Sequence, residues 1–473
     1  MNLHRWAVTA SVIVSQSAAT NRLLADDATD TINSLKQQIE QLDQKVRILE
    51  RNRELDLEAY EAKAKEALRI SVDEKGFFVG SPDGANVIKL RGLLQVDSRT
   101  FFKDGGNKAN DSFSLRRARP IFEGTVFRDF DFQFVPEFGG STVQILEANI
   151  NYRYSPELQL RIGKFKMPVG LEQLQSDARA TFIERALPTG LTPDRDLGVT
   201  LHGEVFGGAF NYDVGIFNGV GDNRKSTNLD FDDDKEFAGR LFLRPFNRTE
   251  GFLQRLGVGV SGSYGSTHGA AGLPLVGTAN LPGYSTDGIQ QFFAYNPTGG
   301  AVTIADGLHW RLSPQGYFYY GPFGLLGEYV ISSQEVRRTA AAPLVSSQID
   351  NTAWQIAGSY VLTGEDASYE GVTPRRPFDP RSGRWGALQL GARYAVLEVD
   401  RDVFPLFADP NTSGREARAW TVGLNWWLNK NIRATASFSR TAFSGGGGAG
   451  TTAPAIITRQ PENVLQTRCQ ISF

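Results

Sequence analysis

From Gly76 to Phe473 the apolar residues of this chain return at every second position, and the positions between them are polar or charged. In FDFQFVPEF, Phe130, Phe132, Phe134 and Phe138 share one face, with Asp131, Gln133 and Glu137 opposite. WTVGLNWWLN sets Trp420, Val422, Leu424, Trp426 and Leu428 against Thr421, Asn425 and Asn429. GALQLGARYAV and NIRATASF repeat the pattern, and LQTRCQISF ends on it, with Phe473, Ile471, Cys469 and Leu465 on one side and Gln470, Arg468 and Gln466 on the other. A period of two means strands with one greasy and one wet face. Roughly 400 residues of such strands would need a very large dry interior if the greasy face pointed inward. A membrane-spanning barrel inverts the arrangement, with apolar side chains toward lipid and polar ones toward a wet lumen. The fold class expected is therefore all-β: a transmembrane antiparallel β-barrel.

The connections set its size. Tight turns are expected at Arg128-Asp129, Ser155-Pro156-Glu157 and Pro245-Phe246-Asn247, and between them fall longer loops at about 103–112, 138–142, 166–196, 218–235 and 265–308. Short turns at one rim and long loops at the other are the asymmetry of outer-membrane barrels. At roughly 25 residues per strand with its connection, the region holds about 16 strands. Tyr152, Tyr154, Tyr317 through Tyr320, Trp426 and Trp427 suit aromatic girdles at the membrane surfaces. Cys469 faces lipid by parity, and the closing aromatic resembles an outer-membrane assembly signal.

The N-terminal part differs. A basic start, then AVTASVIVSQSAAT, reads as an export signal over 1–25. From Thr31 to about Leu68 the period is helical: Ile32, Ile39 and Val46 fall at a, Leu35, Leu42 and Leu49 at d, and Arg53 marks a stutter before Leu57, Tyr60, Ala64 and Ala67. A short coiled-coil segment is expected within 26–75, in the periplasm, with the barrel over 76–473. β-Branched a with Leu at d favours two strands.

Composition narrows the function classes. The net charge of −2 argues against nucleic acid, and one Cys among 473 residues excludes an internal disulfide or a Cys-based metal site. His4, His202, His268 and His309 are scattered, so neither a metal cluster nor a barrel hydrolase is indicated. DFDDDKE at 230–236 reads as a solvated loop and GGGGAG at 445–450 as a flexible one; Asn247-Arg248-Thr249 fits a glycosylation sequon but falls in a turn. No cofactor is expected.

SLRRARPIFEGTVF at 114–127, GKFKMPVGLEQLQSDARATFIERALPTG within 158–199, SYVLTGE at 359–365 and TVGLNWWLNKNIRATASF at 421–438 together resemble the phosphate-selective porin O/P family. The resemblance spans about 76–473. It implies a homotrimeric 16-stranded porin in the bacterial outer membrane, passing small anionic solutes such as phosphate. It further implies that the third loop (166–196), the fifth (265–308) and a turn segment (364–386, with Arg375, Arg376, Arg381 and Arg384) fold inward. It places Arg116, Arg117, Lys166 and Arg185 near the constriction. A trimer conflicts with the two-stranded preference of the heptads, and the barrel interface is expected to prevail.

The chemistry fits the residues as well: guanidinium forks grip phosphate oxygens, Lys adds a compact charge, and a series of moderate sites conducts where one tight site would trap. By parity Arg117 and Arg119 share the lumen face, as do Lys89, Arg91 and Arg99. Arg240 with Arg244, and Arg161, Arg393, Arg433 and Arg468, are further candidates. Arg116 has the opposite parity, so a pore role for it requires a bulge or a position beyond the lipid band. Acids are interspersed. Asp97, Glu123, Asp129, Asp131, Glu137, Glu147 and Glu204 share the lumen face. The third loop carries Glu172, Asp177, Glu184, Asp194 and Asp196, and 265–308 has no Lys or Arg. A general, weakly selective diffusion porin and a plugged barrel serving as an envelope anchor therefore stay open as alternatives.

Overall fold

The computed structural model describes residues 6–102, 109–140, 142–226, 230, 233–269, 280–296, 302–339, 345–449 and 456–473, with backbone alone for 6–26, 61–65 and 456. The chain divides into two units, Met1–Leu68 and Arg69–Phe473.

The first unit is one helix, α1 (Trp6–Glu66). No Gly or Pro interrupts it, so propensity carries it through the stutter at Arg53. Within this helix the described heptad residues are exposed: Ile39 is 65% exposed, Leu42 60% and Leu49 67%. Of the expected export signal, residues 1–5 lie outside the described residues.

The second unit begins at Arg69, earlier than the expected boundary at 76. A hairpin of Arg69–Asp73 and Gly76–Gly80 pairs with the first barrel strand, Phe77 opposite Leu90. Ile70 and Val72 lie in a strand, just beyond the helical period that runs to about Leu68.

Sixteen strands form the barrel among the described residues: β1 (Val87–Phe101), β2 (Ser112–Val126), β3 (Phe130–Glu137), β4 (Gln144–Ser155), β5 (Leu158–Lys166), β6 (Arg195–Val205), β7 (Phe210–Phe217), β8 (Glu236–Leu243), β9 (Arg255–His268), β10 (Thr303–Tyr320), β11 (Phe323–Arg338), β12 (Val345–Val361), β13 (Ala387–Glu398), β14 (Gly414–Trp427), β15 (Ile432–Ala449) and β16 (Glu462–Ser472). Each pairs antiparallel with the next, and β16 closes on β1 with Arg468 opposite Asp97. The seam is completed by Phe473, whose N–H and C=O bond the backbone of Gly92 at 3.1 and 3.0 Å.

The alternation read in the sequence appears as two faces. On β1, Leu94 and Val96 are 43% and 44% exposed on the outside, while Gln95 and Asp97 between them are buried inside. Tyr152, Tyr154, Tyr320 and Trp426 lie on the outer face. Tyr317, Tyr319 and Trp427 do not join that girdle. They share parity with Gln315 and Asn425, and so turn inward, Trp427 to 1% exposure.

Among the described residues, the connections that fold inward include the third loop, the fifth loop and the segment between β12 and β13. The third loop (167–194) carries the short helix α2 (Leu171–Leu174) and a 3₁₀ turn at Leu187–Leu191. Gly170 precedes α2 at φ 83°, and a Cβ there would meet Thr192 at 2.7 Å, so glycine is required. The fifth loop forms a small hairpin, Gly283–Ser285 with Gln291–Ala294, whose Tyr284, Phe292 and Phe293 pack with Leu187, Leu191 and Val330. In the turn segment 362–386, Ala367 and Val372 are buried, but Arg375, Arg376, Arg381 and Arg384 are exposed. The part that enters is thus the apolar stretch, not the arginines. The link 244–254 is longer than the tight turn expected at Pro245.

Candidate functional site

Pairing places Gln95 opposite Arg117 and Val96 opposite Leu115, so Arg116 is one residue in excess. This β-bulge turns two successive arginines into the lumen, as such bulges re-aim side chains elsewhere. The parity conflict at Arg116 is resolved by local geometry.

Both arginines meet the third loop. Glu184 accepts from Arg116 Nε and Nη2 at 2.8 and 3.0 Å, from Arg99 at 3.0 Å and from Arg468 at 3.4 Å. Asp177 accepts from Arg185 at 2.8 Å, Arg117 at 3.2 Å and Arg119. On the wall, Asp97 takes a bidentate bond from Arg468 at 2.7 and 2.8 Å, and Glu137 takes Arg119 at 2.5 Å. Burial pushes the Asp177 and Glu184 carboxyls upward. The guanidinium groups outweigh it: Arg117, Arg185 and Arg119 hold Asp177, and Arg116, Arg468 and Arg117 hold Glu184, below the usual carboxylate range.

Lys166 and Arg185, placed near the constriction by resemblance, act on the loop's own backbone. Lys166 Nζ donates to the carbonyls of Gln173, Gln175 and Leu174 at 2.7, 3.0 and 3.4 Å. Arg185 donates to the carbonyls of Glu172 and Gln175 at 2.9 and 2.8 Å. Together they cap the C-terminal carbonyl groups of α2, where positive charge is favoured.

Further round the same wall, Arg393 of β13 bridges two loops, bonding Glu172 of the third at 3.1 Å and Asp287 of the fifth at 2.9 Å, its guanidinium 4.5 Å from the Phe182 ring. Asp287 escaped the sequence reading, although an acid in a loop without Lys or Arg is the kind of unbalanced charge that seeks a wall partner. Arg311, also missed, binds Asp222 at 2.7 Å and Glu236 at 2.5 Å. Arg433 lies against Trp427 and donates to Ala180 O at 2.6 Å.

Other candidates are less engaged. Arg240 stacks on Phe242 at 4.3 Å and donates to Gln315 at 3.2 Å; Asp213 is its register partner on β7, beyond ion-pair distance. Arg161 lies 5.3 Å from the Phe165 ring. Among the described residues neither has a carboxylate within ion-pair distance. Arg244 donates to Gly208 O at 2.9 Å, and its carboxylate partner, the exposed Glu204, stands 3.7 Å away. Lys89 and Arg91 line a cavity of about 570 Å³ at the short-turn rim with Arg179 and Lys430, Arg91 pairing with Glu123 at 3.3 Å.

The lumen is thus divided. Arginines of β1, β2, β13 and β16 are paired with acids that hold the third loop against that wall. The guanidinium groups of β5 and β8 are not.

The outer membrane channel DcaP of Acinetobacter baumannii is similar in fold, with a TM-score of 0.52 over 85% of this chain and 99% of that one, at 11% identity. The anion-selective porin of Comamonas acidovorans gives a TM-score of 0.49 over 82% of this chain and 100% of that one, at 11% identity. OmpT of Vibrio cholerae gives 0.47 over 82% and 98%, at 14% identity. No curated protein sequence matches. The family of phosphate-selective porins O and P matches residues 88–470. A closed barrel of 16 strands, with inward-folded loops and a polar interior, matched to that family over most of its length, makes this chain a member of the phosphate-selective porin O and P family and an outer-membrane channel for the diffusion of small solutes.

Proposed function

We propose that the channel prefers anions, phosphate among them, and that Arg161, Arg240 and Arg244 set the preference. The observation that carries this is the unequal neutralisation of the lumen. A guanidinium already bonded to a carboxylate presents little field and few free donors to a passing ion. Arg161 and Arg240 retain both. Arg116, Arg117, Arg119, Lys166, Arg185 and Arg393 then serve chiefly to hold the third loop, and Arg433 to support it at Ala180. The family's description supports phosphate as a solute.

The same ion pairs favour a second reading, a general diffusion porin of weak selectivity, because paired charges cancel at a distance. Reversal potential in a planar bilayer under a KCl gradient, followed by phosphate titration, separates the two. An anion-selective potential that falls toward zero in Arg161→Ala and Arg240→Ala supports anion preference on the β5–β8 wall. Block of the chloride current by phosphate adds phosphate as ligand. A potential near zero in the unaltered protein sinks the proposal in favour of the general porin.

The assembly we propose is a homotrimer in outer-membrane lipid, with α1 in the periplasm. The exposed apolar stripe of α1 supports association through that helix.

A further inference from the structure

Tyr317 and Tyr319 turn into the lumen on β10, and Tyr369 reaches them from the inward part of the turn segment 362–386. The Tyr317 and Tyr369 rings stack at 5.3 Å and 23°. Phe242 of β8 lies 5.3 Å from Tyr317 on the same wall. The Tyr369 hydroxyl is used, donating to Leu171 O at 2.6 Å, so the ring is fixed in place by the third loop. Beside these rings is a cavity of about 350 Å³ at the short-turn rim. It lies within the range of about 300–1,000 Å³ typical of small-molecule sites.

The charged groups around it are unevenly satisfied. Arg255 is paired with Asp366 at 2.9 Å. Arg244 lines the same cavity with its carboxylate partner at 3.7 Å, and Arg240 follows on the same face of β8. The cavity is lined by aromatic rings, by the exposed Glu370 carboxylate and by the Arg244 guanidinium, which donates to Gly208 O at 2.9 Å and to Asn211 Oδ1 at 3.4 Å and has one amino group, Nη1, left for a ligand. A chloride ion uses the guanidinium alone. A planar ring bearing a carboxylate uses the rings as well: an added ring joins an aromatic cluster edge-on or offset, and the carboxylate takes Nη1 of Arg244.

We infer that this tyrosine–arginine cavity is a binding site for small aromatic carboxylates, through which the channel takes up aromatic acids as well as inorganic anions. The inference rests on the anion preference proposed above and adds a substrate class to it.

The test uses the full chain in a planar bilayer, with benzoate or cyclohexanecarboxylate added to one side while chloride current is recorded. The two acids match in charge and nearly in size and differ in aromaticity. Benzoate is expected to block at a concentration about fivefold to tenfold lower than cyclohexanecarboxylate. Tyr317→Leu should bring the two acids together, and Arg244→Gln should weaken both. Folding of each variant is checked by heat-modifiable mobility on SDS gels. Equal block by the two acids in the unaltered protein overturns the inference without recourse to any variant. So does an aromatic preference that persists in folded Tyr317→Leu. A KCl reversal potential near zero, by contrast, overturns the anion reading itself. The two failures are thus told apart.

Discussion

Glu184 gathers Arg99, Arg116 and Arg468 at one carboxylate, and its charge more than its shape is what matters there. Glu184→Gln keeps the volume and removes the charge. Three guanidinium groups then face the lumen with less compensation, so the variant should shift the KCl reversal potential toward stronger anion selectivity and show noisier single-channel current. An unchanged potential would mean the released arginines find other acids. Acid should not mimic this substitution in the ordinary range. The folded pKa values of Asp177 and Glu184 are depressed, so their ionic contribution is present above the unfolded carboxylate values and is lost as pH falls through the lower folded ones. The bonds that Asp177 and Glu184 make to their arginines are therefore expected to persist from pH 7 down to about pH 4, near the unperturbed carboxylate range. Glu184→Gln should accordingly still differ from the unaltered protein in reversal potential at pH 5, and loss of that difference at pH 5 would contradict it. Lys166→Met removes the donor to three backbone carbonyls, at about 1.5–3 kcal/mol for a charge-assisted bond. The expected result is a mobile loop and raised conductance, with the ion selectivity of the unaltered protein retained. Loss of selectivity would return Lys166 to the role of anion ligand that the resemblance implies.

At the scale of the element, the bulge in β2 makes a test that point substitution cannot. Deleting Arg116 removes the excess residue and leaves Leu115 outside and Arg117 inside, because each keeps its partner on β1. A one-residue deletion elsewhere in a strand would invert a whole face. The shortened chain is expected to assemble into a heat-modifiable barrel, with Glu184 losing Arg116 and conductance rising. Failure to assemble would show that the bulge serves closure of the sheet and not aim of the side chain. The helix α1 carries its own prediction. Ile32, Leu35, Ile39, Leu42, Val46 and Leu49 are all exposed within this helix, an apolar stripe that a lone helix would leave in water. A peptide of residues 27–66 should associate in analytical ultracentrifugation, and Leu42→Glu should return it to a monomer. A monomeric, unfolded parent peptide would remove the helix from the assembly mechanism.

Across the whole molecule, charge is divided between structure and transport. The third loop is bonded to β1, β2 and β16, and through Arg393 to the fifth loop. The weakly paired Arg161, Arg240 and Arg244 lie on the wall from β5 to β8. A channel built this way tolerates many buried charges because the loop-holding cations are matched by anions, as Arg116, Arg117, Arg119, Arg185 and Arg393 are, or by backbone carbonyls, as Lys166 and Arg433 are, while Arg161 and Arg240 are left to act on the solute. Closure of the barrel depends equally on its seam. Phe473 bonds Gly92 through its backbone and lays its ring where a Cβ on Gly92 would sit, 2.7 Å away. Gly92→Val is therefore expected to lower the yield of heat-modifiable barrel; an unchanged yield would show that the seam adapts.

Alternation by itself determined the barrel and its inside and outside, because a strand's two faces are fixed by the parity of its residues, and the spacing of the connections determined its size. The same parity rule put Arg117, Arg119, Arg240, Arg393 and Arg433 in the lumen. Applied position by position, it would also have turned Tyr317, Tyr319 and Trp427 inward. Tertiary structure decided the pairing of those charges. Glu184 reaches Arg468 across 284 residues, and Arg393 reaches Glu172 across 221 and Asp287 across 106. No local pattern records such distances. Arg116 shows the boundary between the two: its parity was legible, but the extra residue that overrides it exists only in the register between two strands. Which cations are left to meet a solute follows from what the folded loops bring to the others, and so belongs to the three-dimensional arrangement.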